Sequence, residues 1–475
     1  MSLTGKLKER TMFGFDVCQT DFGQTGFSPV CPRLAVCQKT VLRASVSARD
    51  RSTENSYCRS LEKRVSKGPE RSPLQPNWEL GGGREDTISG LNVLDASASG
   101  RKEVGEMRQL RLRAVGVAVG LGLSAGALFF GPVEAAASTW SIVPSPNSGT
   151  SDNQLKGVAC VSSSSCTAVG SYRNGSNLDQ TLIESWNGTS WSIVPSPNSG
   201  TSDNQLNGVA CVSASFCTAV GSYISGEAAQ TLIESWNGTS WSIVPSPNSG
   251  FSFLNGVACV SSSSCTAVGT SYINTSDTFL SLIESWDGTS WSIVASPNTG
   301  TSDFLNGVAC VSSGFCTAVG NYFSSDFPPG TLVEAWNGSN WSIVSSPNTG
   351  TGDFLSGVAC VSSESCTAVG TLIESLNGVR WSIVPSPNSG YSFLNGVACI
   401  SFKSLKSCTA VGGHVGGQTL IESKKANKWL IVASPNTGTD DFLTGVACVS
   451  SGFCTAVGHY YNNSSGVYQT LIESA

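Results

Sequence analysis

One motif, written seven times, constrains this chain more than any other feature. Between Ser138 and Ala475 the sequence keeps returning to W-S-I-V-P-S-P-N, then G-V-A-C-V-S, C-T-A-V-G and T-L-I-E-S-W-N-G-T-S. The tryptophans that open each W-S-I-V are Trp140, Trp191, Trp241, Trp291, Trp341, Trp381 and Trp429, spaced by 51, 50, 50, 50, 40 and 48 residues. A period near 50 belongs to propellers and solenoids, where one supersecondary unit buries its apolar face against its copies.

Each unit reads as four short strands. In the first they cover 157–161, 167–172, 181–186 and 191–194. Val, Ile, Thr and Trp dominate them, as half-buried sheet surfaces prefer. Asn187-Gly188 sits between the last two, a hairpin signal because both residues tolerate positive φ. Pro195 and Pro197 follow the outer strand, where a missing N–H is tolerated. No stretch shows helical periodicity. The ends are complementary: Trp140–Val143 supplies a lone W-S-I-V strand, and the last unit stops at Ser474 without one. The expectation is an all-β, seven-bladed β-propeller of four-stranded antiparallel blades, closed by the N-terminal strand pairing with the C-terminal blade. An open array would leave two bare edges.

The glycine after the second strand (Gly170, Gly221, Gly412-Gly413), the tyrosine that follows, the turn after strand three and the Trp opening strand four resemble the kelch family of propellers. The resemblance spans 138–475; it implies the fold and no particular activity. Paired cysteines are foreign to that pattern. The copper site of kelch-like oxidases needs histidines, and this chain has 2, His414 and His459.

Fourteen cysteines form local pairs: Cys160/Cys166, Cys211/Cys217, Cys259/Cys265, Cys310/Cys316, Cys360/Cys366, Cys399/Cys408 and Cys448/Cys454. Each pair flanks the turn between strands one and two, where facing positions come close enough to bond. Seven hairpin disulfides are therefore expected, in an oxidising compartment. No second ligand pair accompanies any of them, so zinc is not expected.

The segments before the repeats differ. Residues 1–106 carry 16 Lys+Arg, 13 Asp+Glu and four irregular cysteines, Cys18, Cys31, Cys37 and Cys58, without sustained periodicity. They read as a disordered or mis-assigned extension. Met107 then opens a basic segment with Arg108, Arg111 and Arg113, followed by apolar Ala114–Val133 and Ala135-Ala136-Ala137. That is the layout of a signal peptide over 107–137. An uncleaved anchor, also long enough to span a bilayer, is the alternative. From 138 onward the chain holds only 8 Lys+Arg against 19 Asp+Glu, a net of −11. With no phosphate loop, no HExxH and no basic patch, nucleic acid, metal and cofactor are not expected.

Function should lie where the repeats differ. The turns between strands one and two, and three and four, are nearly invariant and share one end of the blades. The opposite end varies. Its loops offer Tyr172, Arg173, Tyr223, Tyr272, Tyr322, Tyr391, His414, His459, Tyr460 and Tyr461, with Asp152, Asp303, Asp353 and Asp440 in the inter-blade segments. Blade five lacks the loop between strands two and three, which should notch the rim. Binding residues collect on loops held by a rigid scaffold. The leading expectation is a secreted, monomeric module binding a glycan or protein ligand, touching a membrane only if Ala114–Val133 is retained. A polysaccharide hydrolase or lyase using those acids, and a structural envelope protein, are the alternatives; glycoside hydrolysis needs at least two carboxylates. A glutamate recurs in every third strand (Glu184, Glu234, Glu284, Glu334, Glu374, Glu422, Glu473), so it cannot mark a single catalytic centre and should bond a neighbouring strand.

Mass spectrometry of the secreted protein should find a mature terminus at Ser138. Peptides from 1–106 would refute a start at Met107.

Overall fold

The computed structural model describes residues 139–475 other than 249, 301, 325–327, 388–391, 403–404 and 426. The extension 1–106, the leader 107–137 and the four irregular cysteines lie outside the described residues.

The strands form seven four-stranded antiparallel sheets, each a meander, and none of the described residues is helical. Blade 1 comprises Asn153–Ser162, Ser165–Arg173, Asp179–Trp186 and Trp191–Val194. Its first strand starts earlier than the sequence suggests, because a bulge between Leu155 and Gly157 lets pairing continue past the glycine. Blades 2 to 6 repeat this plan. Blade 7 takes Thr439–Ser450, Phe453–Asn462 and Val467–Ser474 from the end of the chain, and Ser141–Ile142 from its beginning. Ser141 pairs with Ser474 and Ile142 with Glu473, so the ring closes as expected.

The core is divided into layers between blades. Leu155, Cys166, Ala168, Leu182 and Trp191 of blade 1 pack on Val457 and Ile472 of blade 7. Val169 and Ile183, one residue along, pack on Leu206, Ala219 and Leu232 of blade 2. The two middle strands are therefore buried on both faces, which is why T-A-V-G and T-L-I-E run apolar without alternation. The outer strand faces a neighbour on one side only. Its Trp is buried and its Ser and Ile are exposed.

Two sets of glycines permit this geometry. A Cβ on Gly157 would lie 3.2 Å from the Cα of Gly208, and the same contact steps through Gly256, Gly307, Gly357, Gly396 and Gly445 back to Gly157. The innermost strands thus meet backbone to backbone around the axis. Beside that seam, asparagines clasp the next blade: Asn207, Asn255, Asn306 and Asn395 donate to the carbonyls of Leu254, Leu305, Leu355 and Leu443, and Thr444 to that of Leu155. The second set, the glycines within strand two, sits against the bulge. A Cβ on Gly221 would lie 2.0 Å from the carbonyl oxygen of Gln205.

All seven cysteine pairs are disulfides across directly facing hairpin positions, with Cα atoms 4.0–4.1 Å apart. Each closes a short loop and contributes about 2 kcal/mol in the chain-entropy account. The two cysteines of each bridge are not equally buried. The second cysteines, Cys166, Cys217, Cys265, Cys316, Cys366, Cys408 and Cys454, are core residues, only 2–7% exposed. Each belongs to one of the seven apolar layers: Cys265 packs with Leu282 and Trp291, Cys366 with Leu355 and Trp381, Cys408 with Leu420 and Trp429, and Cys454 with Leu443 and Trp140. The reason is their place on strand two, which has a strand on either side and the neighbouring blade against its face. Their partners Cys160, Cys211, Cys259, Cys310, Cys360, Cys399 and Cys448, on strand one, stay half-buried. The x5 spacing also fails once, because Cys399 and Cys408 are 9 residues apart while the other six pairs are 6 apart. A longer hairpin accommodates the difference, with Phe402 facing Leu405 at its tip.

The recurrent P-S-P-N is a strap. Ser196 bonds Thr181 of its own blade and Glu234 of the next, while Asn198 accepts from the Thr181 N–H. The recurrent glutamate accordingly bonds a linker of the preceding blade, not a strand of its own sheet.

Gly221→Ala should cost about 3 kcal/mol, because backbone must move to admit the methyl. Gly175→Ala, where a Cβ meets nothing within 4 Å, should leave the urea midpoint unchanged.

Candidate functional site

The loop end of the ring starts from a pin in five of the inter-blade segments. Asn153 and Asn204 accept from the N–H of Ser148 and Ser199, both at 2.7 Å. Asp303, Asp353 and Asp441 accept from Thr299, Thr349 and Thr437 N–H at 2.5–2.6 Å. All five pins are at most 3% exposed. Asp303 and Asp353 therefore hold their own loops. Asp440 is exposed at positive φ (56°), and its neighbour Asp441 is the pin. Asp152 accepts from the Tyr468 N–H at 2.9 Å and faces Arg173 at 3.4 Å.

The tyrosines divide by blade. Tyr172, Tyr223 and Tyr322 lean half-buried on their blade cores. Tyr391 lies outside the described residues. Tyr272 donates its hydroxyl to Asp277 at 2.7 Å and joins a run of rings. That run is Phe253, Phe251, Tyr272 and Phe279 of blade 3, then Phe304 and Phe323 of blade 4, with successive centroids 4.9–6.4 Å apart. Phe323, at its end, is 43% exposed. A second run crosses from blade 6 to blade 7 through Phe393, Phe442, His459, Tyr468 and Tyr461 at 5.3–6.0 Å. Tyr460 donates to Gln469 at 2.6 Å, and His414 Nδ1 shares a 2.6 Å bond with Ser392. In blade 5, Gly370 N–H turns straight onto the Leu372 carbonyl, so the loop between strands two and three is absent there.

Blade 1 is different in kind. The residue after the pin position, which Ser252 and Ser392 occupy in blades 3 and 6, is Gln154 and Gln205 in blades 1 and 2, and Phe253, Phe304, Phe354, Phe393 and Phe442 in the other five. Two positions further along, where other blades carry Asn, Ser or Thr, blade 1 has Lys156. Its Nζ donates to Gln205 Oε1 at 2.8 Å and Asn207 Oδ1 at 3.0 Å. Burial pushes the amine down to about 8, opposed by the Asp179 charge. His459 is pushed down to about 4 by burial and then by Lys156, with Asp152 opposing, and its buried Nδ1 has no hydrogen-bond partner. Arg173 bridges Asp152 and Asp179 at 3.4 and 3.3 Å. Among the described residues, Lys156 and Arg173 are the only Lys or Arg at this end; the rest sit on opposite-end hairpins of blades 5 and 6.

Sequence reasoning passed over Lys156. The signal was available as a single departure at one repeat position, and it carries no motif. The aromatic runs were half visible, since the tyrosines drew notice and the phenylalanines did not. The disulfides lie at the constant end and present no thiol to the loop end. At the constant end, clefts between blades 1 and 2 and between blades 3 and 4 enclose only about 80 and 70 Å³ behind a disulfide and a Trp pair, room for a handful of waters. Among the described residues no cluster of His, Cys, Asp and Glu could hold a metal ion.

No protein-family model and no curated protein matches the chain in sequence. Among solved structures it is similar to YCF48 bound to a D1 peptide, at 13% identity and a TM-score of 0.45, covering 71% of this chain and 97% of that one. It is likewise similar to YCF48 from Cyanidioschyzon merolae, at 14% identity and a TM-score of 0.44, covering 70% and 98%. Neither likeness assigns a role to any residue here.

Lys156→Asn should extend the clasp to a sixth seam by donating to the Leu206 carbonyl. We expect a gain of up to about 1 kcal/mol, the worth of one hydrogen bond, read as a raised urea midpoint.

Proposed function

We propose that the chain is a secreted binding module, kelch-like in its repeat, that grips a protein ligand at the loop end of the ring. The observation that carries this is the contrast between the two ends. Seven near-identical disulfide turns occupy one end, while the other breaks the symmetry with an aromatic run on blades 3 and 4 and a polar mouth on blades 1 and 2. Half-exposed aromatics beside satisfied polar groups suit an interface in which a few rings anchor the partner. A sugar would need hydroxyl partners next to the rings. Here the only hydroxyl in the blade 3–4 run is committed to Asp277. That favours apolar side chains of a protein segment over a glycan.

Secretion is part of the proposal and rests on seven local disulfides, which persist in oxidising compartments. Enzymatic readings gain no support from the acids. Asp303 and Asp353 are buried under their own loops, and Asp152 is tied to Arg173.

Parallel peptide and glycan arrays probed with the mature chain test the reading. Specific peptide retention is expected, weakened at least tenfold by Phe279→Ser with Phe304→Ser and untouched by Thr189→Ala on the opposite end. Retention of glycans alone would replace the ligand class, and retention indifferent to both phenylalanines would remove the site.

A further inference from the structure

We infer that docking of one blade on the next is coupled to proton uptake by six of the seven third-strand glutamates, Glu184, Glu234, Glu284, Glu334, Glu374 and Glu473. All seven are 0% exposed. Each accepts from a serine hydroxyl on the linker that leaves the preceding blade. The pairs are Ser145–Glu184, Ser196–Glu234, Ser246–Glu284, Ser346–Glu374, Ser386–Glu422 and Ser434–Glu473 at 2.8 Å, and Ser296–Glu334 at 2.7 Å. In six of the seven straps the serine also bonds a Thr or Ser hydroxyl on the third strand of its own blade, as Ser145 does with Thr470 at 2.8 Å. A latch of carboxyl and neutral hydroxyls spans each seam.

The chemistry of that arrangement favours the neutral acid. An ionised carboxylate taken out of water needs a cation or several strong donors, and otherwise takes a proton. Glu184 faces Ala168 and Ile193 on the strands that flank it, and Ser145 from blade 7. The titratable groups that act on these latches are acids. Asp303 acts on Glu334, Asp353 on Glu374 and Asp441 on Glu473, each favouring the protonated form. At the same place, blades 1 to 3 carry the neutral Asn153, Asn204 and Ser252. No Lys, Arg or His among the described residues pairs with Glu184, Glu234, Glu284, Glu334, Glu374 or Glu473. Burial raises Glu184 and Glu234 to about 8 and Glu284, Glu334, Glu374 and Glu473 to about 7, against the lowering effect of the serine bonds.

The direction follows. An unfolded glutamate titrates at about 4.3. Between there and pH 7–8 the folded ring holds protons that the unfolded chain has released. The latch contribution is therefore complete in acid and is lost as pH rises through 7–8. Each latch that stays protonated in the folded ring raises the unfolding constant up to tenfold per pH unit, and stops doing so once it ionises.

Urea unfolding of the intact chain between pH 5 and 9 tests this, alongside infrared spectra of the folded protein. We expect stability to fall from pH 5 upward and to level off above about pH 8. The slope should shallow with Glu184→Gln, Glu234→Gln and Glu284→Gln together, since the amide keeps the shape without the proton. A protonated-carboxyl band should be present at pH 6 and fade by pH 9, which needs no variant to fold. A flat wild-type profile, a glutamine variant that keeps the wild-type slope, or no such band at pH 6 would each overturn the proposal.

Discussion

Everything in this ring depends on seven first strands meeting at glycine. With no Cβ at Gly157, Gly208, Gly256, Gly307, Gly357, Gly396 and Gly445, adjacent backbones approach until a methyl would crowd the next Cα. That contact fixes how far each blade leans on its neighbour. It brings the asparagine clasps within reach of the next leucine carbonyl and sets Ile183 against Leu206. A wider hub would open both the apolar layers and the serine–glutamate seams. Packing, clasps and latches are thus three consequences of one steric permission.

The architecture was readable because repetition averages out local noise. Spacing of the tryptophans, the split seventh unit and the facing cysteines each required the same ring, and the pairings Ser141–Ser474 and Cys160–Cys166 agree. Side-chain roles were less readable. The disulfides were legible as crosslinks, but the burial of Cys265 or Cys454 in a layer between blades depends on a neighbour that the hairpin alone does not reveal. Whether an acid holds its own loop or faces solvent depends on a single step in register. Asp441 is a pin and Asp440, beside it, is exposed. Asp303 looks like a surface acid in sequence because nothing in its neighbours announces the Thr299 N–H it caps. The glutamates were recognised as structural, yet their partners sit about 38 residues away across a blade boundary, beyond any local pattern.

The loop end shows how a symmetric scaffold makes an asymmetric surface. Pins, straps and disulfides recur with little change, so the framework tolerates substitution at the few positions they leave free. The residue after the pin position is glutamine twice and phenylalanine five times. That alone turns one side of the mouth polar and the rest aromatic. Lys156 goes further by replacing a clasp to backbone with a clasp to two side chains. Among the described residues it is the only ammonium at this end, and it sits where it depresses the His459 imidazole.

The seventh blade has a bearing on the order of events during synthesis. Its outer strand, Ser141–Ile142, is the first of the described strands to emerge and must wait for Val467–Ser474, the last of them. Every other sheet can pair from contiguous chain and seal its own disulfide as it appears. The ring itself cannot be completed until Val467–Ser474 has been made. A polypeptide halted before Val467 would carry six assembled sheets and an unmatched edge at each end, a form that quality-control proteases could distinguish from the closed ring by its exposed strands.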